Sequence, residues 1–375
     1  MTSITKHRRE WFGGLVYSEN PGFTAFVDPQ RADMLGIPSS NNLTERLFSA
    51  PLDVHISITN RCNLRCRGCY AQRGNEPVQE MPLDLAKAVI DRLSDLDVFT
   101  IALGGGEPFL HPQLFDIATH SRKAGIVPNV TTNGLCIDDE TAKRCKVFGS
   151  VHISCHHPAE MPRLAESVRF LKSAGIDIGL NVLVSADTYT ELPNIWAWCA
   201  RQRISRLLLL KFKLTTINGD FQDMVLSAEQ EQGLLPLIRQ LSRRHSVMPM
   251  LDCSFFPALA YSQPDRKDLE FFDVNGCLGG NAILAVTIDG QFKPCSFCQT
   301  THGDILALDR TLWKQNEYLS AFRRRHLHAE CDTCAYEDLC NGGCRVSKTE
   351  WCHSRKASEQ PAPGCPPQGV GSPAP

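Results

Sequence analysis

Between residues 52 and 245 the chain switches six times from a short apolar run to a longer amphipathic one. That alternation limits the folds open to it more than any other feature. "LDVHISIT", "FTIALGG", "VPNVTTNG", "SVHISC", "DIGLNVLVS" and "SRLLLLKFKL" read as strands. "LDLAKAVIDRLSDL", "PQLFDIATHSRKAG", "ETAKRCKVF", "PRLAESVRFLKSAG", "LPNIWAWCARQR" and "SAEQEQGLLPLIRQLSRRH" follow them in turn and read as helices. Gly125 and Gly175 stand where two of those helices stop. Strands alternating with helices over this length predict a parallel sheet covered by helices. Periodicity alone leaves two arrangements open, a partial barrel and an open doubly wound sheet.

Past residue 250 the character changes. Residues 277–365 carry nine of the seventeen cysteines, with short polar turns and one convincing helical stretch, "TLWKQNEYLSAFRRR". A segment this short of aliphatic core needs staples, which metal clusters supply. Disulfides are the other use of so many thiols, but "MTSITKHRREWFGG" has no apolar signal segment, and a 375-residue chain does not need disulfide staples. Reduced cysteines serving metals in a cytoplasmic protein fit better. No apolar run approaches the roughly 18 residues of a membrane span, so a soluble protein is expected. A net charge of -2 gives no electrostatic reason to expect nucleic acid or an anionic membrane as partner.

Four segments are expected: an N-terminal extension over 1–50, a strand-helix domain over 51–250, a cysteine-rich domain over 251–368, and a disordered tail over 369–375. In the extension, "FGGLVYSENPGFTAFVD" predicts a hairpin over a five-residue loop.

"RCNLRCRGCY" places Cys62, Cys66 and Cys69 directly after the first strand, at the sheet edge where such folds put their active sites. Three thiolates are one short of a closed tetrahedral zinc site or an ordinary four-cysteine cluster. Either a fourth ligand comes from elsewhere or one metal position stays open. The second strand ends in "LGGGEPFL", where glycines let backbone approach a ligand and Glu107 adds an acceptor for an ammonium group. Its bland reading is a strand-to-helix turn with a solvated glutamate.

The Cys-x3-Cys-x2-Cys spacing, the aromatic Tyr70 after it and the Gly-Gly-Glu-Pro run together resemble the radical S-adenosylmethionine (radical SAM) superfamily. The resemblance implies a partial (β/α)6 TIM-type barrel, giving an α/β fold with a small cysteine-rich iron-sulfur domain behind it. It also implies a [4Fe-4S] cluster on Cys62, Cys66 and Cys69, whose fourth iron takes the amino and carboxylate groups of S-adenosylmethionine. Reductive cleavage then gives methionine and a 5'-deoxyadenosyl radical, with the electron supplied by a partner such as flavodoxin or ferredoxin. Gly105, Gly106 and Glu107 become candidates for the methionine amino group, with Tyr70 beside the cofactor. In "ISCHH" Ser154 matches a ribose or carboxylate contact of relatives, while His156 stands where they often have an acid. His156 is then a hydrogen-bond donor, a proton carrier or a structural residue. Asn181 is a further cofactor candidate.

The second cysteine field reads Cys-x12-Gly-x4-Cys through Cys277, Gly290 and Cys295, then Cys-x2-Cys-x5-Cys-x3-Cys through Cys331, Cys334, Cys340 and Cys344. On spacing alone it suits two iron-sulfur clusters or two zincs. It resembles the SPASM extension of some radical SAM enzymes. That resemblance implies one auxiliary cluster on Cys331, Cys334, Cys340 and a late cysteine, Cys365 rather than Cys352. The other sits on Cys277, Cys295 and Cys344, with Cys298 or an open position as its fourth ligand. The scattered cysteines at 136, 145, 155, 199 and 253 read as small buried hydrophobes.

SPASM-bearing relatives mostly modify peptides or proteins, and others act on tetrapyrroles. The leading expectation is maturation of a ribosomally made peptide by cross-linking or oxidation. The alternatives are modification of a tetrapyrrole or other small molecule, and a zinc-bound, non-catalytic module. No general base is assigned: Lys211, Lys213 and His157 are suitably placed, and the sequence shows a partner for none of them.

Overall fold

The computed structural model describes residues 5–20, 22–40, 43–71, 77–215, 218–260, 264–272, 274, 276–323, 331 and 333–347. The chain opens with an antiparallel sheet of β1 (Thr5–Glu10), β2 (Gly13–Ser18) and β3 (Phe23–Val27) in that order. The expected hairpin is therefore two strands of three, and its loop spans residues 19–22, one fewer than predicted. β1 is hidden in the sequence because it is polar. Its inward residues are an ion pair, Arg8 Nε to Glu10 Oε1 at 2.7 Å, with both side chains almost wholly buried. The Arg8 guanidinium donates to the carbonyls of Ala50 (2.6 Å), Pro51 (3.1 Å) and Asp97 (3.2 Å), fastening β1 to the main body. β3 lies at the other edge.

Among the described residues the main sheet has nine strands. β4 (Asp53–Thr59), β5 (Thr100–Gly105), β6 (Val127–Thr132), β7 (Val151–Cys155), β8 (Ile178–Val184) and β9 (Arg206–Lys211) lie side by side in chain order, all parallel. These are the six predicted strands. Among the described residues β4 and β9 do not pair, so the row of six stays open as a partial barrel requires. β10 (Pro249–Leu251) extends it parallel to β9. At the opposite edge β11 (Ile283–Val286) runs parallel to β4, and β12 (Phe292–Lys293) returns antiparallel to β11. The parallel arrangement follows from the helical crossovers, which return each strand to the same end.

One sheet face is the core. Val54, Ile56 and Ile58 of β4, Ile101 and Leu103 of β5, and Val151, Ile153 and Cys155 of β7 are at most 2% exposed. Each buried aliphatic contributes about 1.5–3 kcal/mol relative to exposure. The helix Leu83–Asp95 presents Ala86, Val89, Ile90 and Leu93 to that core, at the three- and four-residue spacing of one helical face. Gly125 and Gly175 end their helices with φ of 75° and 74°, a left-handed turn that glycine enters without a Cβ penalty.

In the C-terminal region Leu284, Val286, Phe292, Ile305, Leu308, Trp313 and Leu319 join the same hydrophobic core as the strand-helix domain. One expectation there needs correction: "TLWKQNEYLSAFRRR" is not one helix. It divides into Arg310–Gln315 and Glu317–Phe322 at Asn316, whose side chain accepts from the Leu319 N–H at 2.9 Å and caps the second piece. Residues 369–375 lie outside the described residues. Among the described residues, no helix is long and apolar enough to cross a membrane.

Candidate functional site

Cys62, Cys66 and Cys69 lie at the C-terminal end of β4, in a loop fastened by groups other than its thiols. Asn60 accepts from the Gln79 N–H at 2.7 Å and donates to the Pro77 carbonyl at 2.8 Å. Arg67 reaches Asp187 at 3.1 Å and also pairs with Asp223. Gly68, at φ 67°, has the Phe212 ring where a Cβ would stand, and its carbonyl accepts from Asn218 at 3.3 Å. The loop is thus clamped from the β9 side. The three thiols are half-buried. Burial, with the charges of Cys69 and Cys62, pushes Cys66 up to about 11. The thiolates would therefore repel one another at close range, a cost that a cationic partner removes.

The "LGGGEPFL" turn is stitched to this loop backbone to backbone. Gly106 N–H donates to the Thr59 carbonyl at 2.7 Å, and Glu107 N–H to the Arg61 carbonyl at 2.8 Å. A Cβ on Gly105 would lie 2.4 Å from the Thr59 oxygen, and one on Gly106 would lie 2.1 Å from the Arg61 oxygen. Both predicted glycines therefore face main chain. Gly104, which sequence reasoning passed over, has open space at its Cβ position. Glu107 is not a solvated turn residue: it is 1% exposed. Its carboxylate accepts from Thr132 Oγ1 (2.8 Å), Asn133 N–H (2.8 Å) and Phe109 N–H (3.1 Å). Burial raises its pKa against those hydrogen bonds. Asn133 of "TTNG" also donates to Asn63 at 2.6 Å, so Glu107, Asn133 and the cysteine loop form one braced unit.

The face of the sheet opposite the core is polar. His55, Asn129, His152, Ser154 and Asn181 are directed there by strand alternation. Ser154 and Asn181 are register partners on β7 and β8, so the two sequence candidates are neighbours. Asn181 Oδ1 lies 2.9 Å from His152 Nδ1, and Gly179 leaves the room that ring needs. His156 is largely enclosed, and its buried Nδ1 has no hydrogen-bond partner among the described residues. Burial holds its pKa low. His157 accepts from the Ala159 N–H at 3.1 Å and caps the following turn.

In the second field Cys277, Cys295, Cys298 and Cys344 fall in one cluster with Phe297, Tyr318 and Phe322. Gly276 admits this approach, since a Cβ there would collide with the Cys340 carbonyl at 1.6 Å. Asn341, Gly342 and Gly343 are three consecutive left-handed residues. Arg345 holds that turn by donating to the carbonyls of Asn341 (2.7 Å), Gly342 (3.1 Å) and Phe322 (3.1 Å). A hydrogen bond from Cys253 and the charge of Arg345 lower the Cys277 pKa despite burial. Cys331, Cys334 and Cys340 are half-buried, with Cys334 N–H donating to the Cys331 carbonyl at 3.2 Å. Cys352 and Cys365 lie outside the described residues. Among the described residues, no three His, Cys, Asp or Glu side chains gather as they would around one metal ion.

Of the scattered cysteines, Cys145, Cys155 and Cys199 are buried core residues pushed up to about 12 by burial. Cys136 and Cys253 are not of that kind. Cys136 accepts from Asn63 at 3.8 Å beside the first loop, and Cys253 is half-buried.

The two cysteine fields touch. Tyr70 packs on Phe297 with ring centroids 4.8 Å apart, and Lys213 Nζ sits 4.4 Å from the Phe297 centroid. His55 Nδ1 lies 2.9 Å from Ser296 Oγ. Sequence reasoning saw no partner for the two lysines. Lys211 pairs with Glu231 at 2.5 Å and Lys213 with Asp252, all four side chains being at most 12% exposed. Burial pulls Lys213 down, and the charges of Asp252, Cys344 and Cys253 outweigh it, leaving the ammonium charged. Lys213→Met strands a buried carboxylate, and breaking a buried pair this way costs about 3–5 kcal/mol. Urea unfolding of Lys213→Met, Asp252→Asn and the double variant should show the double recovering part of the loss.

A family scan matches residues 56–192 to the "Radical SAM superfamily". The AdoMet-dependent heme synthase of Nitratidesulfovibrio vulgaris is 24% identical over 316 residues, covering 77% of this chain and 86% of that protein. The mycofactocin maturase MftC of Mycolicibacterium smegmatis is 23% identical over 324 residues, covering 81% and 80%. SuiB of Streptococcus suis, solved with the precursor peptide SuiA, superposes with a TM-score of 0.71 at 17% identity, covering 94% of this chain and 99% of that one. That match runs from within β4 through β8 and takes in the cysteine loop at the end of the first of these strands and the glycine turn at the end of the second: residues 56–192 of this chain carry a radical SAM domain.

Proposed function

We propose that this protein cleaves S-adenosylmethionine reductively and directs the resulting radical at a ribosomally made peptide. A [4Fe-4S] cluster with S-adenosylmethionine supplies a hydrogen-abstracting 5'-deoxyadenosyl radical when both are bound. The residues present fit those groups. Cys62, Cys66 and Cys69 offer three thiols on a rigid loop, Gly104 leaves open space beside them, and His156 Nδ1 is a buried polar atom in need of a partner. The thiols' failure to converge on one point is no objection, because a cluster gives each thiolate its own iron.

In this reading Cys62, Cys66 and Cys69 hold the cluster, and Tyr70 lines the passage toward the second field. Gly105 and Gly106 let the two loops meet. Glu107 holds that junction and keeps acceptor capacity for the methionine ammonium. Ser154 and Asn181 offer hydrogen bonds to the ribose or carboxylate. Cys277, Cys295 and Cys344 hold one auxiliary cluster. Cys331, Cys334, Cys340 and Cys365 hold another.

The observation that carries the peptide reading is the edge of the N-terminal sheet, which is unpaired among the described residues. β1 is tied to the body, which leaves β3 outermost, with Phe23 45% and Phe26 64% exposed. Among the described residues, five of the ten exposed large hydrophobics, namely Trp11, Phe23, Phe26, Met34 and Leu35, fall within these first 35 positions. An open edge flanked by apolar side chains suits an extended leader segment, added as a further strand. The precursor peptide bound by SuiB and the maturase name of MftC support the same class. A second reading rests on the heme synthase and the Fe-coproporphyrin III synthase among the relatives, which point to a tetrapyrrole.

The test adds a candidate precursor peptide, or Fe-coproporphyrin III, to the reduced enzyme and follows substrate mass and methionine release. A mass change in the peptide is expected. Phe26→Asp should weaken peptide binding at least about tenfold, or 1.4 kcal/mol, while peptide-free cleavage is unchanged. Turnover of the porphyrin with an inert peptide would favour the second reading.

A further inference from the structure

We propose that Phe297 is a specificity-determining residue, an aromatic wall that selects which substrate side chain can enter beside the cysteine loop. The inference deepens the reading above and rests on it, since it needs a substrate brought to that loop. Three contacts carry Ser296 and Phe297, which come from the C-terminal region, across the strand-helix domain. Ser296 Oγ lies 2.9 Å from Nδ1 of His55, on the polar face of β4. The Phe297 ring packs on Tyr70, directly after Cys69, with centroids 4.8 Å apart. Lys213 Nζ, from a residue two positions past the end of β9, lies 4.4 Å from the centre of the same ring. β4 and β9 are the first and last of the six parallel strands and do not pair with each other among the described residues. The dipeptide thus reaches from one end of the open row to the other and sets an aromatic ring between them.

The wall is held from behind. Lys293 Nζ donates to the Ser296 carbonyl at 3.1 Å, Gln299 Nε2 to the Phe297 carbonyl at 2.9 Å, and Cys298 N–H to the Cys295 carbonyl at 3.2 Å. Lys213 is itself fixed by Asp252, so its ammonium keeps its place against the ring, where the charge and the ring's negative face attract. Phe297 is half-buried and Tyr70 exposed, so the two rings retain surface for a ligand and are not closed into the core. They add aromatic surface beside a sheet face that carries Asn129, His152, Ser154 and Asn181. A peptide side chain with an apolar body fits that combination, packing on the rings while the strand residues bind its polar groups. Because one methylene more or less in an apolar pocket changes discrimination about 10–200-fold, truncating this ring should loosen the choice of substrate.

The test uses the full-length reconstituted enzyme and a candidate precursor peptide, either whole or cut to its leader segment. Calorimetry without dithionite gives both affinities for wild type, Phe297→Leu and Phe297→Ala, and turnover with dithionite gives the 5'-deoxyadenosine formed per modified peptide. Phe297→Ala is expected to weaken binding of the whole peptide about tenfold and to raise the ratio of deoxyadenosine to product about tenfold, with Phe297→Leu between. The leader segment alone should bind all three alike, which separates this wall from the β3 edge. If Phe297→Ala loses iron through a broken fold, Phe297→Leu, which keeps most of the volume, carries the comparison. Wild-type affinity and ratio in the folded variants, beside a peptide that wild type modifies, overturn this inference alone. A whole peptide that wild type neither binds better than its leader nor modifies removes the peptide reading. The ratio is then read with Fe-coproporphyrin III, where a wild-type value in Phe297→Ala overturns the inference as well, and a porphyrin left unmodified by wild type removes both.

Discussion

Replacing Cys62, Cys66 and Cys69 together with alanine is expected to reduce 5'-deoxyadenosine release to background and to remove about four irons per chain, with the auxiliary iron still bound. The effect should be confined to chemistry. The loop is held by Asn60 on Gln79, Arg67 on Asp187, and Gly68 against Phe212, none of which involves a thiol. Urea unfolding should accordingly show a change small beside the loss of cleavage. Iron analysis and chromatography of the nucleoside product check both halves. Retained cleavage in the triple variant would place the reactive cluster elsewhere.

Gly106→Ala is the second large effect. The new Cβ would stand 2.1 Å from the Arg61 oxygen, and because the obstacle is main chain, no side chain can rotate away. Overpacking of this kind costs about 1–3 kcal/mol. The displacement also strains the Gly106–Thr59 and Glu107–Arg61 hydrogen bonds that register the glycine turn on the cysteine loop. Since a misplacement of about 1 Å can cost about 100-fold in rate, cleavage should fall further than stability does. Gly104→Ala is the control: its Cβ meets nothing within 4 Å, so its melting temperature should stay near wild type. A drop in S-adenosylmethionine affinity for Gly104→Ala, measured by calorimetry, would show that the ligand fills that open space. Wild-type stability in Gly106→Ala would mean that the two loops are not packed as described.

The strand-helix core was legible in the sequence because each element carries its own signal. Val54, Ile56 and Ile58 alternate, the helix faces repeat every three to four residues, and Gly125 and Gly175 mark stops. What escaped depends on partners far along the chain. β1 reads as "TKHRRE", and nothing local says that Arg8 and Glu10 are buried against each other and against Ala50. β11 is four apolar residues whose place beside β4 is fixed by a partner some 230 positions earlier. Asn316 was a readable stop signal inside a helical pattern and was overridden by the flanking periodicity. In the candidate site, the spacing of the cysteines and the glycine run was visible. That the glycines face main chain, that Glu107 is a buried brace, and that Cys136 approaches the first cysteine loop required the fold. Lys211 and Lys213 lost their candidacy as free bases for the same reason, since Glu231 and Asp252 come from later segments.

The most direct test of the central claim is the iron and sulfide content of the wild-type chain after anaerobic reconstitution, read with 5'-deoxyadenosine release once dithionite and S-adenosylmethionine are added. The account predicts about twelve irons per chain, three clusters of four, and release of 5'-deoxyadenosine with methionine. Zinc in place of iron, with no cleavage of S-adenosylmethionine under anaerobic conditions, would contradict it.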